Sequence, residues 1–169
     1  LAWSPTGEEL ISAGWDKLIR SWRENEAHQF VSDPQASIRL PIGPGPSGKL
    51  DALALSADGR WLAMGGYASL AARAASFRHS GIESALSSIE LLEQGVIYVL
   101  DRQQNRMRRL EGHRGPVCGL AFATNRQGTL QLVSAGFDRN AQQQPVGSLR
   151  VWDVALGEYL AGILLPETP

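Results

Sequence analysis

The sequence repeats itself, and that self-similarity limits the fold more than any other feature it has. LAWSPTGEELISAGWD at 1–16 lays over LALSADGRWLAMGGYA at 53–68 without a gap, with Leu1/Leu53, Ala2/Ala54, Ser4/Ser56, Gly7/Gly59, Leu10/Leu62 and Gly14/Gly66 identical. A third copy follows: Leu120, Ala121 and Phe122 match Leu1, Ala2 and Trp3, and SAGFD at 134–138 repeats SAGWD at 12–16. Each copy then runs into a second apolar segment, LIRSW at 18–22, VIYVLD at 96–101 and LRVWD at 149–153. Units this small bury their apolar surface by stacking on one another.

Pieces of about five to seven residues, rich in Val, Ile, Leu and aromatics and bounded by Gly, Asp, Asn and Pro, predict β-strands and almost no helix. In the first copy the expected strands are a over 1–4, b over 10–14 and c over 18–22, with turns at 5–7 and at Asp16 and a fourth strand d over about 38–44, in the stretch SIRLPIGP at 37–44. RMRRLEG at 106–112 is the corresponding fourth strand of the second copy. The expected fold class is all-β: four-stranded antiparallel sheets, each too small to cover both its faces alone.

Composition adds exclusions. The 169 residues are 43% hydrophobic, and 16 basic against 17 acidic side chains give a net charge of -1, which offers no electrostatic reason to seek DNA or an anionic membrane. No apolar run approaches the roughly 18 residues of a spanning helix, so no membrane segment is expected. Cys118 is the single cysteine, which removes the secreted cystine scaffolds. The chain begins at Leu1, already inside a strand, as if cut from a longer polypeptide, and any leader would lie upstream. One domain over 1–169 and a cytoplasmic location are expected.

Gly112-His113 precedes the third copy and Trp152-Asp153 closes it. Together with the repeats, these residues resemble the WD-repeat β-propeller family, whose four-stranded blades carry Gly-His near the start and Trp-Asp near the end. The resemblance covers the chain as about three consecutive repeats, roughly 1–44, 49–112 and 113–165, the middle one divergent with Leu100-Asp101 in place of Trp-Asp. Propellers have about four to eight blades. The resemblance therefore implies a segment whose end faces meet the remaining blades of the same longer chain, or a second copy if the chain is complete. It also implies that His113, Ser134, Asp138 and Trp152, residue types that include those of a hydrolase triad, form a structural hydrogen-bond chain instead. No nucleophile elbow or oxyanion arrangement is visible beside them. In the first copy Ser12, Asp16 and Trp22 match three of these positions; in the second, Met64, Ala68 and Pro46 replace the Ser, Asp and His.

The repeats are spaced more widely than the roughly 40–45 residues usual for such units, because of insertions at about 68–94 and 139–147. Both are b to c connections. In a meander the d to a and b to c connections share one face, so both insertions decorate the same face, the candidate interaction surface. In the first, Ser80 and Glu83 make a capping box and Ile82, Ala85, Leu86, Ile89 and Leu92 recur at helical spacing, predicting a helix that Gly95 ends. That helix either packs on its own propeller or offers Ile82, Leu86 and Ile89 to a partner; a strand over 89–92 is the rival reading. Arg102, Arg106, Arg108, Arg109 and Arg114 form a basic cluster on an outer strand, where charge discourages edge-to-edge aggregation. The absence of interleaved aromatics disfavours nucleic acid there. Cys118 shares a side of its strand with Leu120 and Phe122 and is expected to be buried and inert. His28, His79 and His113 lack metal-ligand spacing and PIGPGPSG at 41–48 lacks the end of a phosphate loop, so no metal or cofactor is expected. The resemblance implies a non-catalytic scaffold binding other proteins through its loop face. The alternative is a sensor or targeting module of a larger multidomain enzyme whose catalytic domain lies elsewhere.

Overall fold

Strands that alternate apolar and polar residues on two faces must cover both, and the chain does so by stacking three sheets. The computed structural model describes residues 1–40, 49–69 and 93–165. They form three four-stranded antiparallel sheets in simple meander order. The first holds β1 (Ala2–Trp3), β2 (Glu9–Ala13), β3 (Leu18–Glu24) and β4 (Phe30–Arg39); the second holds β5 (Lys49–Leu55), β6 (Trp61–Ser69), β7 (Glu93–Asp101) and β8 (Arg106–Glu111). The third holds β9 (Val117–Thr124), β10 (Leu130–Arg139), β11 (Pro145–Asp153) and β12 (Glu158–Leu164). The first strands of neighbouring sheets lie against one another, β1 on β5 and β5 on β9, so the sheets radiate from their innermost strands as blades of an open, incomplete propeller.

The a to b turn is the same device in every blade. Gly7, Gly59 and Gly128 sit at positive φ and donate to the carbonyls of Ser4, Ser56 and Asn125, a conformation glycine adopts without a Cβ clash. Two seams hold the blades together. Ile11 and Ile19 of the first blade meet Leu50, Leu62, Met64 and Leu100 of the second. On its other face the second blade brings Ala63, Ile97 and Val99 against Val117, Leu132, Trp152 and Val154 of the third. Each buried Ile, Leu or Val contributes about 1.5–3 kcal/mol of transfer free energy.

One level down, the two seams differ in kind. Glu9 in the first blade occupies the register position of Trp61 in the second, each the first residue of its strand b and opposite Arg23 or Asp101 on strand c. Arg102 and Val154 are likewise equivalent, each donating its backbone N–H to a carbonyl at the start of strand b, that of Arg60 or Leu130. At the first seam Arg102 reaches across to the buried Glu9 (Nη2 to Oε2 2.7 Å), which also accepts from Ser21 Oγ at 2.6 Å. Burial alone would raise the Glu9 pKa, but the hydrogen bonds from Ser21 and Arg102 hold it below the ordinary carboxylate value. At the second seam the same two positions are apolar, Val154 being buried in the cluster that Trp61 packs against.

Two expectations, on the fourth strand of the first blade and on Cys118, need correction. The fourth strand of the first blade is β4, which begins at Phe30, well before the expected start near Ile38; its ladder to β3 breaks between Ile19 and Ser21, where Asp33 accepts from the backbone N–H groups of Gln35 and Ala36. That irregularity accommodates Pro34, which cannot donate to a ladder. The 139–147 segment is a hairpin continuation: Phe137, Asp138 and Arg139 pair with Gly147, Val146 and Pro145, and a short turn at Asn140–Gln144 closes it. Cys118 is exposed. Gly119 pairs with Ala135 but Val117 with Gly136, so Cys118 is the extra residue of a β-bulge and loses the side that alternation assigns it.

Candidate functional site

In the third blade the indole N–H of Trp152 donates to Ser134 Oγ at 2.8 Å, and Ser134 Oγ lies 2.8 Å from His113 Nε2. His113 Nδ1 lies 3.0 Å from Ser148 Oγ, and Ser148 in turn donates to the carbonyl of Gly136 at 3.3 Å. One protonation pattern satisfies every atom: Ser134 donates to a neutral imidazole at Nε2, and Nδ1–H donates to Ser148. Asp138, expected next in the chain, stands back at 3.6 Å from Nδ1. Its carboxylate is held by Arg150, through Nε at 3.1 Å and Nη2 at 3.0 Å, and by the backbone N–H of Arg114 at 3.1 Å. Burial drives the His113 pKa down to about 4, outweighing the nearby Asp138 charge. Such a histidine, 1% exposed, offers no proton transfer to a substrate.

The first blade repeats part of this: Trp22 Nε1 donates to Ser12 Oγ at 2.8 Å. Asp16 turns away to Arg20, 2.6 Å, and caps the Leu18 N–H; the Arg20 guanidinium lowers its pKa. The second blade replaces Ser and Trp together, with Met64 and Leu100 both in the first seam's apolar cluster, so no hydroxyl is left without its indole. Ser148 and Arg150 were not foreseen. Alternation along β11 puts both on the side of Trp152, which is the signal that could have found them.

The face that carries the b to c turns presents a second constellation. Trp15 is 66% exposed, yet fixed: its indole N–H donates to Asp51 Oδ1 at 2.7 Å, and Lys49 Nζ sits 4.3 Å from the ring centroid. Asp51 reaches it because Leu50 pairs with Gly66 and Ala52 with Gly65, making Asp51 the extra residue of a bulge at the position equivalent to Cys118. Phe137 holds the place of Trp15 in the third blade and is 45% exposed. Partial burial of the sulfur and the neighbouring Asp51 carboxylate both raise the Cys118 thiol pKa. Strands β6 and β7 extend into the first insertion as the pairs Ala68/Gln94 and Ser69/Glu93. The helix expected from Ser80, with Ile82, Leu86 and Ile89, lies outside the described residues, as does Pro46.

The basic cluster does not form a track. Arg102 crosses to Glu9, Arg109 pairs with Glu111 at 2.8 Å, Arg108 donates to the Ala155 carbonyl, and Arg114 lies at the opposite face beside Asp138. Among the described residues no three His, Cys, Asp or Glu are grouped to hold a metal ion, and no helix is long and apolar enough to cross a membrane.

Among the described residues, two outer faces stay uncovered. The first blade turns Trp3, Leu10, Trp22 and Phe30 outward, Trp3 and Phe30 meeting edge to face at 5.5 Å. The third blade turns out the apolar rows Ala121, Val133, Val151, Ala161 and Gly119, Ala135, Leu149, Ile163.

Residues 1–23 and 104–142 match the family described as WD domain, G-beta repeat (WD40). No curated protein matches the sequence. Among solved structures, Saccharomyces cerevisiae Sqt1 is similar at 13% identity with a TM-score of 0.50, over 95% of this chain and 34% of that one. The β-propeller domain of Myceliophteria thermophila Cps50 (Swd1) aligns at 14% identity and a TM-score of 0.42, over 98% of this chain and 55% of that one. The β-propeller domain of the Trilobed protease from Pyrococcus furiosus aligns at 12% identity and a TM-score of 0.42, over 94% and 43%. The chain thus spans well under two thirds of these chains. At this identity the likeness to Sqt1 concerns the fold.

Proposed function

Because the chain belongs to the WD-repeat β-propeller family, a family that typically mediates protein interactions, we propose that it is a non-catalytic scaffold binding partner proteins through the face of its b to c turns. The observation that carries this reading is Trp15: a large aromatic two-thirds exposed, yet oriented by Asp51 and Lys49. Rigid exposed aromatics lose little entropy when a partner covers them, which is why they anchor interfaces. Phe137 repeats the position, and the last β6–β7 pair, Ser69 with Glu93, lies at the same end of the second blade.

The two uncovered outer faces belong to the same proposal. Each matches the chemistry of a seam already inside the molecule, so further blades of one polypeptide, or a second copy, are the natural cover. The intact mass of the native polypeptide separates these occupants.

The test uses the full-length protein, wild type and Trp15→Ala/Phe137→Ala, in affinity capture with quantitative mass spectrometry. The double variant should lose partners that an Arg126→Ala control on the opposite face retains, with both proteins fully folded at the assay temperature. An identical captured set would overturn the assignment of this face.

A further inference from the structure

Strand register places two arginines in the seam between the second and third blades. On the side facing the third blade, β6, β7 and β8 align Trp61, Asp101 and Arg106 in one row, Ala63, Val99 and Arg108 in the next, and Gly65, Ile97 and Leu110 in the third. Val99 and Leu110 are buried in the seam, but toward the a to b turns the third blade recedes. It leaves a cleft of about 350 Å³ lined by Arg60, Trp61, Asp101, Arg106, Arg108 and Ala155, on the face opposite Trp15. Gly157, at φ +76°, lets the Ala155–Gly157 turn lie close along Arg108: a Cβ there would meet its Nη1 at 3.3 Å and its Cδ at 3.4 Å.

The charges in this cleft do not cancel. Asp101, 3% exposed, is satisfied by Arg60 (Nη2 to Oδ2 2.7 Å) and by the backbone N–H groups of Gln103 and Gln104. Arg60 itself is stacked 4.9 Å from the Trp61 ring. Arg108 donates to the Ala155 carbonyl, a neutral acceptor. Arg106 is exposed and makes no hydrogen bond or ion pair among the described residues. Two guanidinium charges therefore share one side of β8 without a carboxylate between them. At the equivalent level of the first seam, Glu9 occupies Arg102 and no such excess remains.

We propose that this cleft is an oxyanion site, taking a phosphate or carboxylate group carried on an extended acidic peptide, with Arg106 as the main donor and Arg108 as the second. A guanidinium fork matches either oxyanion in a bidentate way. The outer edge of β8 beside it, which pairs with no second strand among the described residues, offers backbone hydrogen-bonding groups to an extended chain. The cleft fits one anionic group, and Arg102 and Arg109 are engaged with Glu9 and Glu111, so no charged track continues along a nucleic-acid backbone.

The test is fluorescence anisotropy on the full-length protein with three labelled peptides: glutamate-rich with one phosphoserine, the same with glutamate at that position, and a neutral glutamine version. Inorganic phosphate serves as competitor, against chloride at equal ionic strength. Either acidic peptide should bind saturably and be displaced by phosphate. Preference for the first assigns phosphate, and equal binding assigns carboxylate. Arg106→Ala should weaken binding by about tenfold and Arg106→Lys by less, as expected when a bidentate donor becomes a point charge. Both should leave the thermal midpoint unchanged, because Arg106 has no hydrogen bond or ion pair among the described residues to lose; Arg139→Ala, on the other face, should bind as wild type. Anionic peptides binding no better than the neutral one, or Arg106→Ala binding as tightly as wild type, would overturn the proposal.

Discussion

Replacing Ser134 with Ala strands two buried groups at once. Ser134 Oγ accepts from Trp152 Nε1 at 2.8 Å and donates to His113 Nε2 at 2.8 Å, and all three side chains are at most 2% exposed. Alanine removes one oxygen, and neither the indole N–H nor the imidazole nitrogen finds water in its place. At about 1–3 kcal/mol for each orphaned group, Ser134→Ala should cost about 2–6 kcal/mol, a large share of a typical domain's stability. Trp152→Phe deletes the indole donor and keeps most of the apolar bulk, so in that background the serine loss strands only the imidazole. The increment for Ser134→Ala should fall by about 1–3 kcal/mol, a coupling that a double-mutant cycle reads directly. The assay is equilibrium urea unfolding of the four proteins at about pH 7.5, followed by far-UV circular dichroism so that losing a tryptophan does not alter the probe. Additive effects, or a loss below about 1 kcal/mol for Ser134→Ala alone, would refute the reasoning that these atoms share one oxygen.

Two further outcomes follow from the same geometry. His113 titrates at about 4 in the folded chain against an ordinary 6.5, so the folded state binds fewer protons between those values and stability falls as the pH drops through that window, by about 3 kcal/mol in all. His113→Gln should remove that slope in pH-dependent thermal unfolding and leave the later loss, at lower pH, from carboxylates such as Asp101 and Glu9 that their partners hold below their ordinary values. Arg102→Ala should destabilise by about 1–3 kcal/mol by leaving Glu9 buried without its cation, whereas Arg109→Ala, in an exposed pair, should cost under about 0.5 kcal/mol. Glu9→Leu/Arg102→Val, which imitates the other seam, should recover at least half of the Arg102→Ala loss in urea midpoints.

The parts of the molecule readable in the sequence are those set by neighbours along the chain. Two a to b turns announce themselves through the aligned Gly7 and Gly59, and the overlay of SAGWD on SAGFD places Ser12 and Ser134 at one register. What sequence reading missed depends on parity or on contacts between blades. A single extra residue at Asp51 or Cys118 reverses alternation, and nothing in KLDALAL or VCGLAFAT marks the bulge. The first part of β4, before Ile38, escapes sequence reading because Pro34 cannot donate to a ladder and interrupts the strand pattern. Asp138 looks like a partner for His113 until Arg150, one strand away, claims it. Trp15 with Asp51 and Glu9 with Arg102 join different blades, and no local pattern encodes which blade stands next to which.

The two seams impose an order on the repeats. Glu9 faces forward from the first blade and requires the arginine that only the second blade presents backward; Trp61 faces forward from the second and meets the valine that the third presents. Were recombination to splice the third repeat directly after the first, Glu9 would be buried against Val154 without a cation, at a cost of several kcal/mol. The blades share an ancestral pattern, yet their flanks now work as mismatched keys: shuffling is penalised, and each repeat is tied to its place in the series.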